Sequence, residues 1–290
     1  MIFVDAAKVV IPNELRNALK AATAALANIK PEDRADFFKK NRDKTWGDPV
    51  LVAAYKKLIG NKCWYSEVDL TGADPNIDHF RPKGRVVEVD NSFSKTGQEC
   101  DGYWWLAFEP LNYRLSSQHS NQRRVDEHTD GGKADFFPVR GSRTPIGTSY
   151  LGIFEDVIPL DPCVPSDVSL IWFDPDGNPC CSPKKTRSES DKLRIQATIW
   201  LYHLDKHETA ALRAKAVAEV RQKLAQADSY HQLWNSTPVC LRSKSSFNRE
   251  VAEIADLLKD GSSFAGAKRC SVRLAMADYE WIESCQALLI

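Results

Sequence analysis

The chain has 290 residues, of which 43% are hydrophobic and 27% charged; this ordinary globular composition excludes wholesale disorder and a collagen-like repeat. Its 39 Lys and Arg residues balance 39 Asp and Glu residues, so any nucleic-acid binding needs a local basic patch. The length predicts about two domains, or one domain with an insertion. No apolar run reaches the length of a membrane span, no signal peptide is recognised, and the eight cysteines form no regular framework. We therefore expect a cytoplasmic protein with reduced thiols and no membrane association.

Residues 1–60 are predicted to form a helical segment. Apolar residues that recur at spacings of three and four indicate one helical face: Leu15, Leu19, Ala22, Leu26 and Ile29. Asn13 is the predicted N-cap of this helix, and Pro31 is predicted to end it and to open a second one. Pro49 and Gly60 mark the expected start and end of a third helix.

The middle of the chain, residues 61–145, is rich in Gly, Pro, Asn and Asp, which predicts loops and short strands. Residues 84–101 are polar and are interpreted as an inserted loop. Residues 146–290 are predicted to contain a strand over Ser169–Phe173, a turn after it, and then helices. Apolar spacing places these helices near residues 193–204, 208–227, 250–258 and 276–289. These elements predict an α+β fold with a loop-rich centre between two helical segments.

Four polar residues in the centre form the candidate site: Asp78, His79, Asn112 and Asn121. Hydrolysis of a phosphodiester bond needs a base that activates water, a cation that neutralises charge on the phosphate, and a group that holds the base in position. Histidine suits the base because its ordinary pKa lies near neutrality. Carboxylate and amide oxygens suit a hard cation such as magnesium. An isolated Asp-His pair would not carry this interpretation, whereas the pair with both asparagines does.

The order and spacing of these residues resemble those of the HNH endonucleases, whose catalytic unit is the ββα-metal finger. The resemblance implies a core of two strands and a helix, with the Asp78-His79 pair at the end of the first strand. It implies that His79 is the general base and that Asn112 fixes the loop after it. It also implies that Asp78 and Asn121 bind a divalent Mg²⁺ or Mn²⁺ ion. The residues then expected to contact the substrate's phosphates are Arg81, Lys83 and Arg124.

Further motifs resemble the HNH subunit, PtuB, of Septu-type and retron-associated antiphage systems. The matching stretches are Lys62–Glu67, Ile77–Lys83, Tyr103–Ala107, Phe137-Pro138, Leu160–Cys163 and the region from Arg194 to Arg213. The resemblance covers about residues 55–220. It implies an ABC-type ATPase as partner, which we expect to dock on the helical flanks, and in some systems a retron reverse transcriptase with its DNA.

One motif departs from these relatives, which often carry two CxxC pairs around a structural zinc ion. Ser66, Ser117 and Ser120 stand at three of the four cysteine positions, and only Cys63 remains. Hydroxyl groups are poor zinc ligands compared with thiolates. We therefore expect no structural zinc, and packing and hydrogen bonds in its place.

Three functions fit these residues: a DNA endonuclease, an RNase that acts on a substrate such as tRNA, or a non-catalytic binding subunit with a decayed site. The intact catalytic set favours the first two, with DNA slightly preferred. Purely structural interpretations of some of these residues remain beside the functional ones. Asn112 also fits a turn residue, Asn121 also fits a helix N-cap, and the nearby basic residues also fit solvated surface charges.

Overall fold

The computed structural model of the protein describes residues 1–73, 75–125, 130–183, 187–236 and 241–289. Its fold is α+β: helices dominate both ends of the chain, and small two-stranded sheets lie in between. None of the described helices is long and apolar enough to cross a membrane.

The α-helices of the described residues are α1 (Asn13–Leu26), α2 (Arg34–Asn41), α3 (Pro49–Ile59), α4 (Gln118–Asn121), α5 (Pro165–Val168), α6 (Glu189–Tyr202), α7 (His207–Ser236), α8 (Leu241–Leu257), α9 (Ala265–Ala275) and α10 (Trp281–Ser284). The strands are β1 (Asn76–His79), β2 (Val86–Val89), β3 (Lys95–Cys100), β4 (Tyr113–Ser116), β5 (Arg124–Val125), β6 (Asp130–Gly131), β7 (Val139–Arg140), β8 (Asp156–Val157), β9 (Ile171–Phe173) and β10 (Pro179–Cys181). They pair in five antiparallel sheets, β1 with β4, β2 with β3, β5 with β6, β7 with β8, and β9 with β10.

The N-terminal helices follow the predicted pattern in part: α1 ends at Leu26, so Ile29 lies outside it, and Pro31 opens a 3₁₀ turn that leads into α2 at Arg34. The residues buried along one face of α1 are Leu15, Leu19, Ala22 and Leu26. Helix α1 begins at Asn13, and Pro12 occupies the N-cap position without a side-chain hydrogen bond, so the predicted Asn13 cap is wrong. Helix α3 begins at Pro49, where the Asp48 carboxylate accepts a backbone N–H at 2.7 Å. It ends at Gly60, whose φ of +86° favours glycine.

The centre of the chain contains the antiparallel pair of β1 and β4, followed directly by the one-turn helix α4. In this register Asp78 lies opposite Arg114, and His79 lies opposite Tyr113. The hydroxyl of Ser117 caps α4 by accepting the backbone N–H of the third residue of that helix at 3.2 Å. Two strands and a helix therefore follow one another around the candidate residues.

Residues 84–101 differ from the inserted loop that the sequence suggested, because they contain the β2–β3 hairpin. Val86 and Val87 are buried, which gives the first strand an apolar anchor that the polar composition concealed. At the turn the Asp90 carboxylate accepts the backbone N–H groups of Ser92 (2.8 Å) and Ser94 (3.0 Å). A side chain thus satisfies the turn's backbone, and the hairpin forms within the insertion between β1 and β4.

The C-terminal region is helical, as expected, but its helices differ from the predicted ones. Strand β9 precedes the predicted turn, and β10 follows it. Helix α6 begins with a capping box formed by Ser188 and Asp191. Helices α7 and α8 extend well beyond the predicted segments, and α9 was not predicted. Only α10 and a short 3₁₀ turn, Gln286–Leu288, occupy the last predicted helical segment.

The interior consists of one large apolar cluster and two smaller ones. The large cluster joins α1, α3, β4 and α6, and it includes Leu19, Tyr55, Trp64, Leu115 and Leu201. A second cluster lies among α7, α8, α9 and α10. The third lies around Phe80 and Phe137, directly behind the end of β1. The candidate residues therefore emerge from packed structure on several sides, which fixes their positions.

Candidate active site

The fold brings most of the predicted site residues to one cavity of about 350 Å³, here called the central cavity. Its lining includes Asp78 and His79 from β1, Lys83 from the loop after β1, Asn121 from α4, and Lys133. These residues come from three separate parts of the chain. The β1–β4 pairing positions Asp78 and His79, and α4 positions Asn121. A pair of backbone hydrogen bonds, described below, positions Lys133.

His79 lies at the end of β1 with only 5% of its surface exposed. Its Nε2 lies 2.8 Å from the backbone oxygen of Ala107. A carbonyl oxygen only accepts, so Nε2 carries the proton in the neutral ring and Nδ1 is the nitrogen with a free lone pair. The ring also contacts Trp46 edge-on, with centroids 5.0 Å apart, and Tyr113 at 5.1 Å. The imidazole is therefore fixed in both position and tautomer.

The surroundings of His79 favour its neutral form. Burial lowers its pKa well below the usual range, because a charged ring would lose its hydration. The ammonium groups of Lys83 and Lys133 lower this pKa further, whereas the hydrogen bond to Ala107 raises it. A neutral histidine with an accepting nitrogen has the state that a general base needs.

Asp78 is buried beside Lys133, a residue that the sequence did not single out. The Lys133 ammonium donates to both carboxylate oxygens of Asp78, at 2.8 and 2.7 Å, and also to the backbone oxygen of His79. The Tyr65 hydroxyl donates to Asp78 Oδ2 at 2.7 Å. Burial lowers the pKa of Lys133, while the Asp78 charge raises it. Asp78 is therefore oriented from two sides, by one cation and one hydroxyl.

The backbone around Lys133 explains how a residue after β6 reaches the site. Its N–H donates to the Ser120 carbonyl at 3.0 Å, and the next N–H, of Ala134, donates to the Asn121 carbonyl at 3.0 Å. Gly132 has a φ of +109°, and a Cβ there would lie 2.0 Å from the Gln122 carbonyl oxygen. Only glycine permits this approach. The Gly131-Gly132 pair was thus the one sequence signal that could have drawn attention to Lys133.

Asn112 is completely buried and holds the loop that follows His79. Its side-chain oxygen accepts the Arg81 N–H at 2.8 Å, and its side-chain N–H₂ donates to the Arg81 carbonyl at 2.9 Å. Its own carbonyl accepts the Phe80 N–H at 2.7 Å. Three hydrogen bonds made by Asn112 therefore fix the chain just after His79. This is the segment to which the sequence resemblance assigns Asn112.

Asn121 is the last residue of α4, and Ser117 is the N-cap of that helix, so the N-cap interpretation of Asn121 is wrong. Asn121 lines the central cavity together with Asp78. Both side chains carry hard oxygen donors of the kind that magnesium and manganese prefer. Among the described residues, no group of three or more His, Cys, Asp or Glu side chains comes together as a metal site.

The three residues predicted to contact phosphate are placed differently from one another. Lys83 lines the central cavity, with its ammonium 5.2 Å from the centre of the Trp46 ring. Arg81 is 8% exposed, donates to Glu155 at 3.0 Å and lines a different cavity. Arg124 is exposed in β5 and does not belong to the lining of the central cavity. Of these three residues, only Lys83 lies in the central cavity with Asp78, His79 and Asn121.

The four positions compared with zinc cysteines lie where the 62–67 turn meets the start of α4. Cys63 Sγ lies 3.6 Å from Ser120 Oγ, and Ser120 Oγ lies 3.2 Å from Ser117 Oγ. Ser66 is buried, and its hydroxyl has no hydrogen-bond partner among the described residues. A thiol and two hydroxyls thus form a hydrogen-bonded chain that joins the 62–67 turn to α4.

Comparison with models of known protein families, with curated proteins and with solved structures found no match. The function is therefore argued from the geometry of the central cavity and from the sequence resemblance.

Proposed function

We propose that this chain is a metal-dependent endonuclease of the HNH type, which hydrolyses phosphodiester bonds in nucleic acid. The observation that carries the proposal is the central cavity, where a fixed imidazole, a buried carboxylate, an amide and two ammonium groups meet. The cavity thus offers a base, oxygen ligands for the cation that the reaction needs, and positive charge beside the phosphate. We place this activity in the cytoplasm.

His79 is the general base in this proposal. Its Nδ1 accepts a proton from the attacking water, and the Nε2–H bond to Ala107 holds the ring in the tautomer that leaves Nδ1 open. Asn112 keeps the loop after His79 in place through the backbone of Arg81. Arg81 itself is a positioning residue, because its guanidinium is committed to Glu155.

Asp78 and Asn121 would hold the divalent ion, since both line the cavity and offer oxygen donors that suit Mg²⁺ or Mn²⁺. When bound, such an ion neutralises charge on the scissile phosphate and on the leaving oxygen. Tyr65 and Lys133, the second of which also lines the cavity, donate to the Asp78 carboxylate and orient it. Lys83 adds a positive charge beside the phosphate.

The test is a cleavage assay with His79→Ala, and with His207→Ala as a matched control, because His207 is exposed at the start of α7. DNA, both as plasmid and as single strands, and total tRNA are offered with Mg²⁺ or Mn²⁺. We expect wild type and His207→Ala to cleave one substrate, and His79→Ala to lose activity by about 100-fold or more. The substrate that is cleaved decides between the DNA endonuclease, which we favour, and the RNase.

The sequence resemblance supports a setting in antiphage defence, with an ABC-type ATPase docked on the helical flanks and, in some systems, a retron reverse transcriptase with its DNA. A tagged protein is expected to retain the ATPase encoded by a neighbouring gene in a pull-down. If neither substrate is cleaved, with or without that ATPase, the nuclease proposal fails and a non-catalytic binding subunit is the better description.

A further inference from the structure

A second cavity, of about 460 Å³, opens beside the central cavity and is here called the basic cleft. The N-terminal helices supply one wall, with Lys39, Arg42 and Trp46. The other wall includes Asn76 of β1 and Gln122. The two cavities share part of their lining: Phe38, Ile77, Lys83 and Asn121. The cleft therefore leads into the place where the reaction is proposed to occur.

The lining of the basic cleft is positively charged, although the Asp43 carboxylate lies 4.0 Å from the Arg42 guanidinium at its exposed side. Lys39, Arg42 and Lys83 line it, and no Asp or Glu side chain is part of its described lining. Burial is the main cause of the lowered pKa of Lys83; the Asp78 carboxylate raises this pKa, and the nearby Arg42 lowers it. Cations gathered in this way repel one another, and an anion bound between them would relieve that repulsion. The cleft is thus a site for phosphate groups.

We infer that the basic cleft holds the phosphates of a single nucleic-acid strand next to the scissile bond, an inference that rests on the proposed function. The site explains how a chain with no net charge binds nucleic acid, because positive charge is concentrated where the strand enters. It assigns substrate binding to Lys39 and Arg42, which lie on the N-terminal helical segment rather than in the strand–strand–helix unit.

The depth of the site favours one strand over a duplex. His79 is 5% exposed, and the Trp46 ring lies against it. A duplex is stiff, and its two backbones are held together by pairing, so bringing one of its phosphates to a residue as buried as His79 requires local bending or unpairing. A single strand bends at each nucleotide and reaches the floor without that cost.

The experiment measures binding separately from cleavage, in the His79→Ala background. The change is the double variant Lys39→Glu/Arg42→Glu. The matched control is Lys40→Glu/Lys44→Glu, which alters the charge equally at two exposed residues outside the cleft lining. Fluorescence anisotropy is recorded with one labelled oligonucleotide as single-stranded DNA, as single-stranded RNA and as a duplex, over a range of salt concentrations.

We expect the cleft variant to bind single strands about tenfold more weakly than the control, with a salt slope smaller by about 1.4, because two phosphate contacts are lost. Equal affinity of the two variants, or no binding to any oligonucleotide, would overturn the inference that the basic cleft binds nucleic acid. A duplex bound as tightly as the single strand would overturn the preference for one strand. Cleavage by the wild type is scored independently, so a nuclease whose cleft variant binds normally refutes this inference and leaves the proposed function intact.

Discussion

The side chains of His79 and Asn112 are held by hydrogen bonds to the backbone rather than by charged side chains. His79 bonds to the Ala107 carbonyl, and Asn112 bonds to both backbone groups of Arg81. Backbone partners of this kind vary little in position, because the packed 3₁₀ turns and strands around them fix the chain. The geometry of the proposed base is therefore a property of the fold.

Asn112→Ala is expected to lower the free energy of unfolding by about 3 kcal/mol, because it leaves the buried N–H and C=O of Arg81 without partners. Urea denaturation measures this change. Asn17→Ala, at an exposed position of α1, is the control and is expected to shift stability by less than about 0.5 kcal/mol. Equal effects of the two substitutions would show that the Asn112 bonds contribute nothing.

At the scale of single residues, the sequence predicted part of the candidate site. It singled out Asp78, His79 and Asn121, which the structure brings to one cavity. It did not find Lys133, because a lone lysine carries no local pattern and reaches the cavity only through tertiary contacts. It could not tell that Arg81 is paired with Glu155, a residue 74 positions away. Such pairings depend on the three-dimensional fold and not on neighbouring residues.

Helix α4 and the 62–67 turn are joined by hydrogen bonds at the positions that the sequence resemblance aligns with zinc-binding cysteines. The Cys63–Ser120 and Ser120–Ser117 distances, 3.6 and 3.2 Å, are close to the separation of about 3.8 Å between sulfurs in a tetrahedral zinc site. Cys63, Ser120 and Ser117 thus lie, in both of these pairs, at approximately the spacing of zinc ligands, although two of the three residues are serines.

The triple variant Ser66→Cys/Ser117→Cys/Ser120→Cys is expected to bind about one zinc ion per chain and to unfold at a higher temperature with zinc than without it. Metal content after gel filtration and thermal melts measure the two effects. The control adds Cys63→Ser to the triple variant, which removes one thiolate and should weaken binding. Failure of the triple variant to retain zinc would mean that the two segments lie too far apart for a four-thiolate site.

Element prediction succeeded where apolar periodicity was strong and failed where composition was misleading. Helix α1 was found by its apolar face, although it ends before the predicted Ile29, and α3 was placed by the proline and the glycine at its ends. The hairpin of β2 and β3 was taken for a loop because its exposed second strand is polar. Helix α9 was not predicted, since most of its residues are small or polar even though many of them are buried.

The whole molecule buries ionisable groups around the central cavity, so its stability is expected to depend on pH. In the folded protein the pKa of His79 lies well below 6.5, owing first to burial and then to Lys83 and Lys133. Below pH 6.5 the unfolded chain takes up a proton at His79 and the folded chain does not. Stability is therefore retained above pH 6.5 and lost as pH falls below it, by at most about 1.4 kcal/mol per pH unit.

Urea denaturation of metal-free protein at several pH values from neutrality to about pH 5 tests this expectation. His79→Gln should show a smaller loss of stability on acidification than the wild type. His119 also has a lowered pKa, from burial and nearby Lys206, and contributes in the same direction in both proteins. Its effect therefore cancels in the comparison. Identical pH dependence in wild type and variant would contradict the depressed pKa of His79.

The chain segment between Gln122 and Gly131, here called the excursion, bears on which changes of sequence the site can tolerate. Lys133 and Ala134 are tied directly to Ser120 and Asn121 by backbone hydrogen bonds, so the chain leaves the site and returns to almost the same point. The number of residues in the excursion is thereby uncoupled from the position of Lys133. Changes in this segment that preserve these two backbone hydrogen bonds, and the contact of Arg123 with Trp200, are therefore expected to leave Lys133 in place.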